Sequence, residues 1–371
     1  MFIIIILLIF VSINAFVYFK IKAILPKNIF VIIIFNIFFI AIIGIFAASI
    51  LFRERLPLPA LAHITNYEMI LLLAFFYLMF ILLFVGLINI TNKHFHYLPF
   101  ALNTMIAKRI VMLVALGFIA LVIILGRYNF DNIKIEKIDI NINKKANVET
   151  LKIVAASDLH LGYSIDKKNL KKFVDLINSL KPDIILLAGD IADSYSQPLI
   201  KQNMKEEFLQ LQAPLGVYGV IGNHECYGDA ENIVNYLKSA GIIMLQDSSV
   251  LLDNEIYIVG RNDKTIKNRK KLDELLQNID KQKPVILLDH QPFNLDLTQK
   301  NGVDLQISGH THGGQVFPFN LITKATYEKH HGYLKKENTH YYISSGAGGW
   351  GPKLRIGSQS EIVEITVNFT R

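Results

Sequence analysis

His310 and His312 stand one residue apart in the stretch Gly309-His310-Thr311-His312-Gly313-Gly314. Along a loop or extended backbone, residues i and i+2 project to the same side, so both imidazoles can reach one metal ion or two adjacent ones. The flanking glycines lack the Cβ atoms that would obstruct a sharp turn or a close ligand. A His-x-His pair alone is a weak metal signal. Four other polar groups give it weight: Asp158 with His160, Asp190, Asn223 with His224, and His290. Carboxylates and imidazoles without a thiolate favour borderline-to-hard divalent ions such as Mn, Fe(II), Zn or Mg. The single cysteine, Cys226, excludes an intramolecular disulfide and a Cys-based zinc knuckle.

Eight candidate groups are too many for one ion of four to six ligands. A carboxylate shared by two ions about 3.5–4 Å apart suits in-line displacement at phosphorus. One ion lowers the pKa of a bound water towards neutrality and so supplies hydroxide, while both neutralise the phosphoryl oxygens. A histidine left outside the ligand set can then protonate the leaving oxygen.

The elements that must position these groups are visible as apolar runs. Residues 151–156, 183–188, 217–221 and 285–288 read as buried strands, and each spills into one of the polar motifs. Residues 303–307 do the same before His310. Helical periodicity is expected at 166–180, where Leu170, Phe173, Val174 and Ile177 share a face, and at 199–211, 229–240 and 268–280. Alternating isoleucines from Ile133 to Ile142 predict an early half-buried strand, and further strands are expected near 242–245, 249–252, 255–260, 341–344 and 361–367. Strands alternating with helices argue for an α/β domain over 151–371, with 127–150 as linker and first strand. In open α/β sheets ligands collect beyond the carboxyl ends of strands. Of the eight histidines after residue 150, only His330, His331 and His340 lie outside the motifs, and these are expected at the surface, with contact to substrate as the alternative for His330 or His331.

Residues 1–126 have a different composition. The runs 1–19, 28–52, 67–90 and 109–126 carry no interior charge, and each has about the 17–25 residues needed to cross a bilayer. They predict a four-helix transmembrane region, with Asn36, Gly86 and Asn89 as helix–helix contacts. His63, His94 and His96 fall between spans and are expected at the interface. No charge lies deep in a span, which argues against ion transport. Of the net charge of +7, these first 126 residues hold +6. The basic excess therefore belongs to membrane-flanking loops, and no nucleic-acid partner is expected. Loop charges are nearly balanced on the two sides, so the positive-inside rule leaves orientation undecided.

The ordered set Asp158-x-His160, Gly189-Asp190, Gly222-Asn223-His224-Glu225, His290 and Gly309-His310-Thr311-His312 resembles the five motifs of the calcineurin-like metallophosphoesterases. The resemblance covers about 150–367 and implies two mixed β-sheets packed as a sandwich and flanked by helices. It further implies one metal on Asp158, His160, Asp190 and His312. The other would be held by Asn223, His290, His310 and the bridging Asp190, with His224 as the acid. Two divalent ions, manganese foremost, are the implied cofactors.

Gly313-Gly314-Gln315 and the run Ser344 to Gly351 look like the membrane-associated bacterial branch of that family, which includes hydrolases of UDP-2,3-diacylglucosamine in lipid A synthesis. The soluble enzyme for that step usually lacks the histidine of the Asn-His motif, which this chain has as His224. The Gly-rich run, including Gly348 and Gly349, offers either backbone N–H groups to a phosphate or a tight turn beside the site. Arg355 is a candidate phosphate or nucleotide contact. Trp350 is placed to stack on a base or to meet the membrane interface. The expected activity is cleavage of the pyrophosphate of UDP-2,3-diacylglucosamine to UMP and a lipid monophosphate by metal-bound hydroxide. The expected location is the bacterial inner membrane, with the catalytic domain cytoplasmic if that substrate is right. A general extracytoplasmic phosphodiesterase acting on phospholipid or cell-wall polymer is the rival within the class. A non-catalytic membrane receptor or scaffold is the rival outside it.

Overall fold

The computed structural model describes residues 2–51, 58–98 and 102–370. Contacts divide the chain into two compact units, 1–125 and 126–371.

The first unit is helical. Helices α1 (Phe2–Lys22), α2 (Ile29–Leu51), α3 (Leu58–Phe95) and α4 (Met105–Asp131) cover most of it, with α4 running on into the second unit. Val17, Leu78, Met112, Ala115 and Ile119 form its small buried core. Tyr18 donates a hydrogen bond to Asn36 Oδ1 at 2.9 Å, so Asn36 does join α1 to α2. Gly86 does not act as a contact point, since a Cβ there would meet nothing within 4 Å. Three stretches among the described residues are long and apolar enough to cross a membrane: Ile29–Phe46, His63–Phe95 and Met105–Asp131. The expected fourth span, 1–19, is helical within α1, but the side chains of residues 1–10 lie outside the described ones, as do residues 52–57 at the end of the expected second span. Among the described residues three helices therefore meet the length and apolarity of a span, against the four expected.

The second unit is an α/β sandwich. It begins with β1 (Lys134–Lys145) and β2 (Thr150–Ala156), followed by α5 (Lys167–Ser179) and β3 (Ile184–Ala188). Short helices α6 (Gln197–Lys201) and α7 (Lys205–Phe208) lead to β4 (Val217–Val220), α8 (Asn223–Tyr227), α9 (Ala230–Ser239) and β5 (Ile243–Met244). Next come β6 (Ser248–Leu252), β7 (Ile256–Gly260), α10 (Leu272–Leu275), β8 (Val285–Leu288), α11 (Leu295–Lys300) and β9 (Leu305–Ser308). The chain closes with α12 (Phe319–Thr326), β10 (Gly332–Lys336), β11 (Thr339–Ile343) and β12 (Glu361–Thr370). Two six-stranded sheets result, ordered β1-β12-β2-β3-β4-β5 and β10-β11-β9-β8-β7-β6. Both are mixed: β12 is antiparallel to β2, and β10 to β11, while the strands that carry the motifs run parallel.

The apolar runs are continuous because each strand is covered on both faces. Ile153, Ile184, Leu186, Ile286 and Ile307 point into the layer between the sheets. Val154, Ile185 and Leu187 face outward onto Phe173, Val174 and Ile177 of α5. The α5 helix is the best-marked one, capped by Asp166, whose side chain accepts from Asn169 N while the Asn169 side chain reaches back.

The strand expected from Ile133 to Ile142 is present as β1, which pairs along its length with β12. Two local expectations are corrected. The single helix expected at 199–211 is broken into α6 and α7, with Asn203 at φ 48 between them. The helix expected at 268–280 shrinks to the one turn of α10, although Leu272, Leu275, Leu276 and Ile279 are all buried as the periodicity required. Strand β10 and helix α12 were not foreseen. The sequence of β10, Gly-Tyr-Leu-Lys-Lys, does not alternate apolar with polar residues, and α12 buries none of its residues.

Candidate metal centre

Parallel strands β2, β3, β4, β8 and β9 all point their carboxyl ends one way, and the polar motifs follow directly. After β2, β3 and β9 the backbone passes through left-handed conformations at residues that are not glycine: Asp158 (φ 52), His160 (φ 47), Asp190 (φ 50), His310 (φ 71) and His312 (φ 52). Such conformations are costly for residues bearing a Cβ and persist where surrounding bonds hold them. Here the bonds are explicit. His160 N donates to Asp190 O at 2.9 Å, Asp158 N to Gly189 O at 3.0 Å and Gly309 N to His290 O at 2.9 Å. Gly309 also shows why its motif needs glycine, since a Cβ would come within 2.3 Å of Asp158 Oδ2.

The side chains converge as sets of potential ligands. Asp158, His160 and His312 form one, Asp190, His290 and His310 another, and His160, Asp190 and His224 a third, with ligand atoms in each set within 4.8 Å of one another. His160 Nε2 and His312 Nε2 are 3.1 Å apart, and His312 Nε2 is 3.4 Å from Asp158 Oδ1. His310 Nδ1 lies 2.7 Å from Asn223 Oδ1. The two neighbouring histidines of the opening motif therefore part company, His312 facing the Asp158 side and His310 the Asn223 side. Asp190 lies between, with Oδ2 at 3.7 Å from His160 Nε2 and 3.1 Å from His290 Nε2.

These residues fit divalent ions. His290 Nδ1 is 2.8 Å from Ala188 O. A carbonyl only accepts, so the ring proton belongs on Nδ1 and the neutral ring turns the lone pair of Nε2 towards the Asp190 carboxylate. That buried Nε2 has no hydrogen-bond partner. Two lone-pair atoms facing each other out of water call for a positive charge between them. Without an ion, the Asp190 carboxylate draws a second proton to that place instead. Burial alone would lower His290, but the charge of Asp190 and then Asp158 raises it well above the ordinary imidazole value. Asp190 is driven the other way, burial being outweighed by His290 and His160. Burial pushes Asp158 up to about 6. His160 and His310 are lowered to about 4, chiefly by burial. His312 is lowered well below the ordinary value by burial and by the neighbouring His160. These last three rings are neutral at pH 7, the state in which imidazole binds metals.

His224 differs from the other four motif histidines. Its backbone N donates to Asp190 Oδ1 at 2.9 Å, and its Nδ1 donates to Asp193 Oδ1 at 3.0 Å. The ring meets His160 edge-on, with centroids 4.5 Å apart. Burial would lower its pKa, but the bond and charge of Asp193 together with Asp190 raise it. It therefore keeps a proton more readily than an isolated imidazole. Two exposed aromatic rings border it: Tyr227 at 5.3 Å and Trp350 at 6.0 Å between centroids. On the far side, Tyr327 lies 6.0 Å from His310 and 4.9 Å from Phe293, over which Lys264 Nζ sits at 4.0 Å.

The structure relocates several residues. Arg355 is fully buried and reaches no open surface. Its guanidinium donates to the carbonyls of His312, Gly346 and Gly348 at 3.0, 2.9 and 2.6 Å, so it ties the Gly-rich run to the metal loop. Three N–H groups of that run are also spent internally: Ala347 N on Ser157 O, Gly348 N on Asp158 O and Trp350 N on Gln315 Oε1. Gly348 and Gly349 are buried, and the run is the tight turn beside the site. Trp350 alone of the four expected substrate contacts is exposed. His340 is buried rather than superficial, with Nδ1 2.8 Å from the Tyr333 hydroxyl and Nε2 3.1 Å from Asn141 O. His331 pairs with Glu361 at 2.9 Å.

Two contributors were missed. Asp193 follows Asp190 by three residues and had no motif to mark it. Glu225 closes the Gly-Asn-His-Glu motif, whose metal and acid chemistry does not call on it. Its buried carboxylate accepts from Asp190 N, Ala192 N and Gly222 N at 3.1, 2.7 and 2.7 Å, clamping the third strand end to the second. Burial and the Asp190 charge push it up to about 7 against those backbone bonds. A capping-box glutamate three residues after Gly222 was the available signal.

A family model described as calcineurin-like phosphoesterase matches residues 151–314. The chain is 34% identical over 221 residues to an uncharacterized metallophosphoesterase of Helicobacter pylori, a match covering 58% of this chain and 59% of that protein. It is 32% identical over 255 residues to an uncharacterized metallophosphoesterase of Aquifex aeolicus, covering 66% of this chain and 97% of the relative. A transmembrane protein with metallophosphoesterase domain from Danio rerio is 30% identical over 251 residues, with 63% of this chain and 57% of that one covered. The chain thus spans well under two thirds of the Helicobacter and Danio relatives and nearly the whole of the Aquifex one. With a two-sheet sandwich whose strand ends gather all five motifs, and with these relatives, the chain belongs to the calcineurin-like phosphoesterase family.

Proposed function

We propose that this chain is a membrane-anchored phosphoesterase working with two divalent metal ions. The observation that carries the reading is the Asp190 carboxylate lying between the His160 and His290 rings, each of which belongs to its own ligand set. Asp158, His160, Asp190 and His312 would hold one ion, and Asn223, His290, His310 and Asp190 the other. When bound, the pair supplies Lewis-acid charge for the phosphoryl oxygens and lowers the pKa of a coordinated water. The chain's own part is positional. Arg355 fixes the backbone of His312, Glu225 fixes the strand end of Asp190, and Asp193 turns His224 so that Nε2 is free to give its proton to the leaving oxygen.

Our finer reading is hydrolysis of the pyrophosphate of UDP-2,3-diacylglucosamine, with manganese as the working metal, at a bacterial inner membrane. Three apolar helices in the same chain support an amphiphilic substrate. The exposed rings of Tyr227 and Trp350 beside His224 suit a planar or sugar ring on the leaving group. The helix α1 would add a fourth span. The test is an assay of detergent-purified protein with manganese, comparing that lipid nucleotide with an aryl phosphodiester. Turnover of the lipid nucleotide with release of UMP is expected. Hydrolysis of the aryl diester alone would replace this reading with a general phosphodiesterase. Metal binding without any turnover would favour a ligand-binding receptor.

A further inference from the structure

Immediately after the metal loop, the chain carries a run of exposed apolar side chains. Leu321 and Ile322 of α12 are 56% and 58% exposed, and Phe317 and Phe319 are 48% and 45% exposed. Four large apolar side chains within six residues exceed the scattered exposure normal for a soluble surface. The opposite side of α12 is fixed to the site. Gly314, two residues after His312, packs so closely on the helix that a Cβ would come within 2.1 Å of Asn320 Cα. Whatever α12 rests on is therefore held beside the metal loop.

Two features identify the occupant. The first is continuity with an apolar helix. Residues 126–131 at the end of α4 belong to this unit, and α4 is long and apolar enough to cross a membrane. Arg355 N donates to Gly126 O at 2.8 Å, and Asn129 Nδ2 donates to Arg355 O at 3.2 Å. The next residue, Ile356, donates to Gln315 O at 2.7 Å and accepts from Phe317 N at 2.7 Å. One short segment, 355–356, thus joins the exit of that helix to the start of the apolar patch. The second feature is charge. Lys324 lies exposed in the last turn of α12, and Lys324 and Lys329 both act electrostatically on His330. Apolar side chains flanked by lysines match the boundary between acyl chains and anionic headgroups.

We propose that Phe317 and α12 form a bilayer-contact surface that seats the metal loop at the lipid–water boundary, so that the scissile phosphate is taken from a lipid headgroup. The second half of this statement rests on the phosphoesterase reading above; the contact surface does not.

The full chain, reconstituted in vesicles of phosphatidylcholine and phosphatidylglycerol, provides the test. A polarity-sensitive fluorophore is placed at Leu321→Cys, and at Lys238→Cys on α9 as control. The unsubstituted chain is labelled in parallel, its Cys226 thiol being pushed up to about 12 mainly by burial and therefore slow to react. Nitroxide-bearing lipids should quench the label at 321 and leave the one at 238 bright. Emission at 321 that nitroxide lipids do not quench overturns the proposal, whether the label is open to water or shielded by protein such as a second copy. In parallel, the double variant Leu321→Asp with Ile322→Asp should lose about tenfold or more in turnover of a bilayer phosphodiester while hydrolysing a soluble aryl phosphodiester normally. Equal turnover of the bilayer substrate by the variant contradicts delivery from the bilayer. If the unsubstituted chain hydrolyses neither substrate, the phosphoesterase reading fails and quenching alone decides the surface.

Discussion

Asp193 Oδ1 stands 3.0 Å from His224 Nδ1, and this bond separates His224 from the other motif histidines. A carboxylate can only accept, so the bond puts a proton on Nδ1 and aims Nε2 away from Asp193. Asp193→Asn removes the charge that helps to raise the His224 pKa. The sign follows directly. A raised pKa keeps the acid protonated to higher pH, so losing the charge moves the alkaline limb of kcat/KM to lower pH. A pH–rate profile of the variant on a substrate with a poor leaving group checks this; an unmoved alkaline limb would take Asp193 out of the account.

Removing the ring itself separates acid from ligand. His224→Ala should keep both metals and cost roughly 10²–10⁴-fold in rate on a poor leaving group, with a much smaller loss on a good one. Metal content and turnover of an alkyl and a nitrophenyl diester provide the comparison. Equal losses on both esters would make His224 something other than a proton donor.

Arg355 makes the opposite kind of claim. Fully buried and bonded to three carbonyls, it is a brace for the turn at 346–348 and the loop at 312. Arg355→Met should lower unfolding free energy by about 2–4 kcal/mol, since it strips charged bonds and leaves buried acceptors unpaired. Thermal or denaturant unfolding measures this. A stable variant whose KM alone rises would restore Arg355 as a substrate contact.

The reach of the sequence can be stated from the same residues. Asp158, Asp190, Asn223, His290 and His310 were legible because each ends an apolar run, and a run buried on both faces advertises both the strand and its polar stop. That one carboxylate would be shared followed from counting ligands against coordination number, and the resemblance to the family implied that it is Asp190. Arg355 was misjudged because an arginine near a Gly-rich turn reads as an anion contact, while its burial depends on where residues 126, 312 and 348 meet. His340 was misplaced for the same reason: strand β11 is internal to its sheet, which only the pairing with β9 and β10 reveals. Asp193 acts through a bond to another side chain and leaves no spacing pattern, while Glu225 left only the capping-box spacing after Gly222. The broken helices at 199–211 and 268–280 share one cause. Periodic apolar residues report which side is buried, and a series of turns can bury that side as well as a helix can.

The central claim is that Asp190 serves two ions at once. Metal content per chain, measured on purified protein after equilibration with manganese and removal of free ion, tests it most directly. The unsubstituted chain should retain two ions. Asp190→Ala should lose both positions and with them turnover. Two retained ions and normal turnover in that variant would contradict the shared carboxylate and the site built around it.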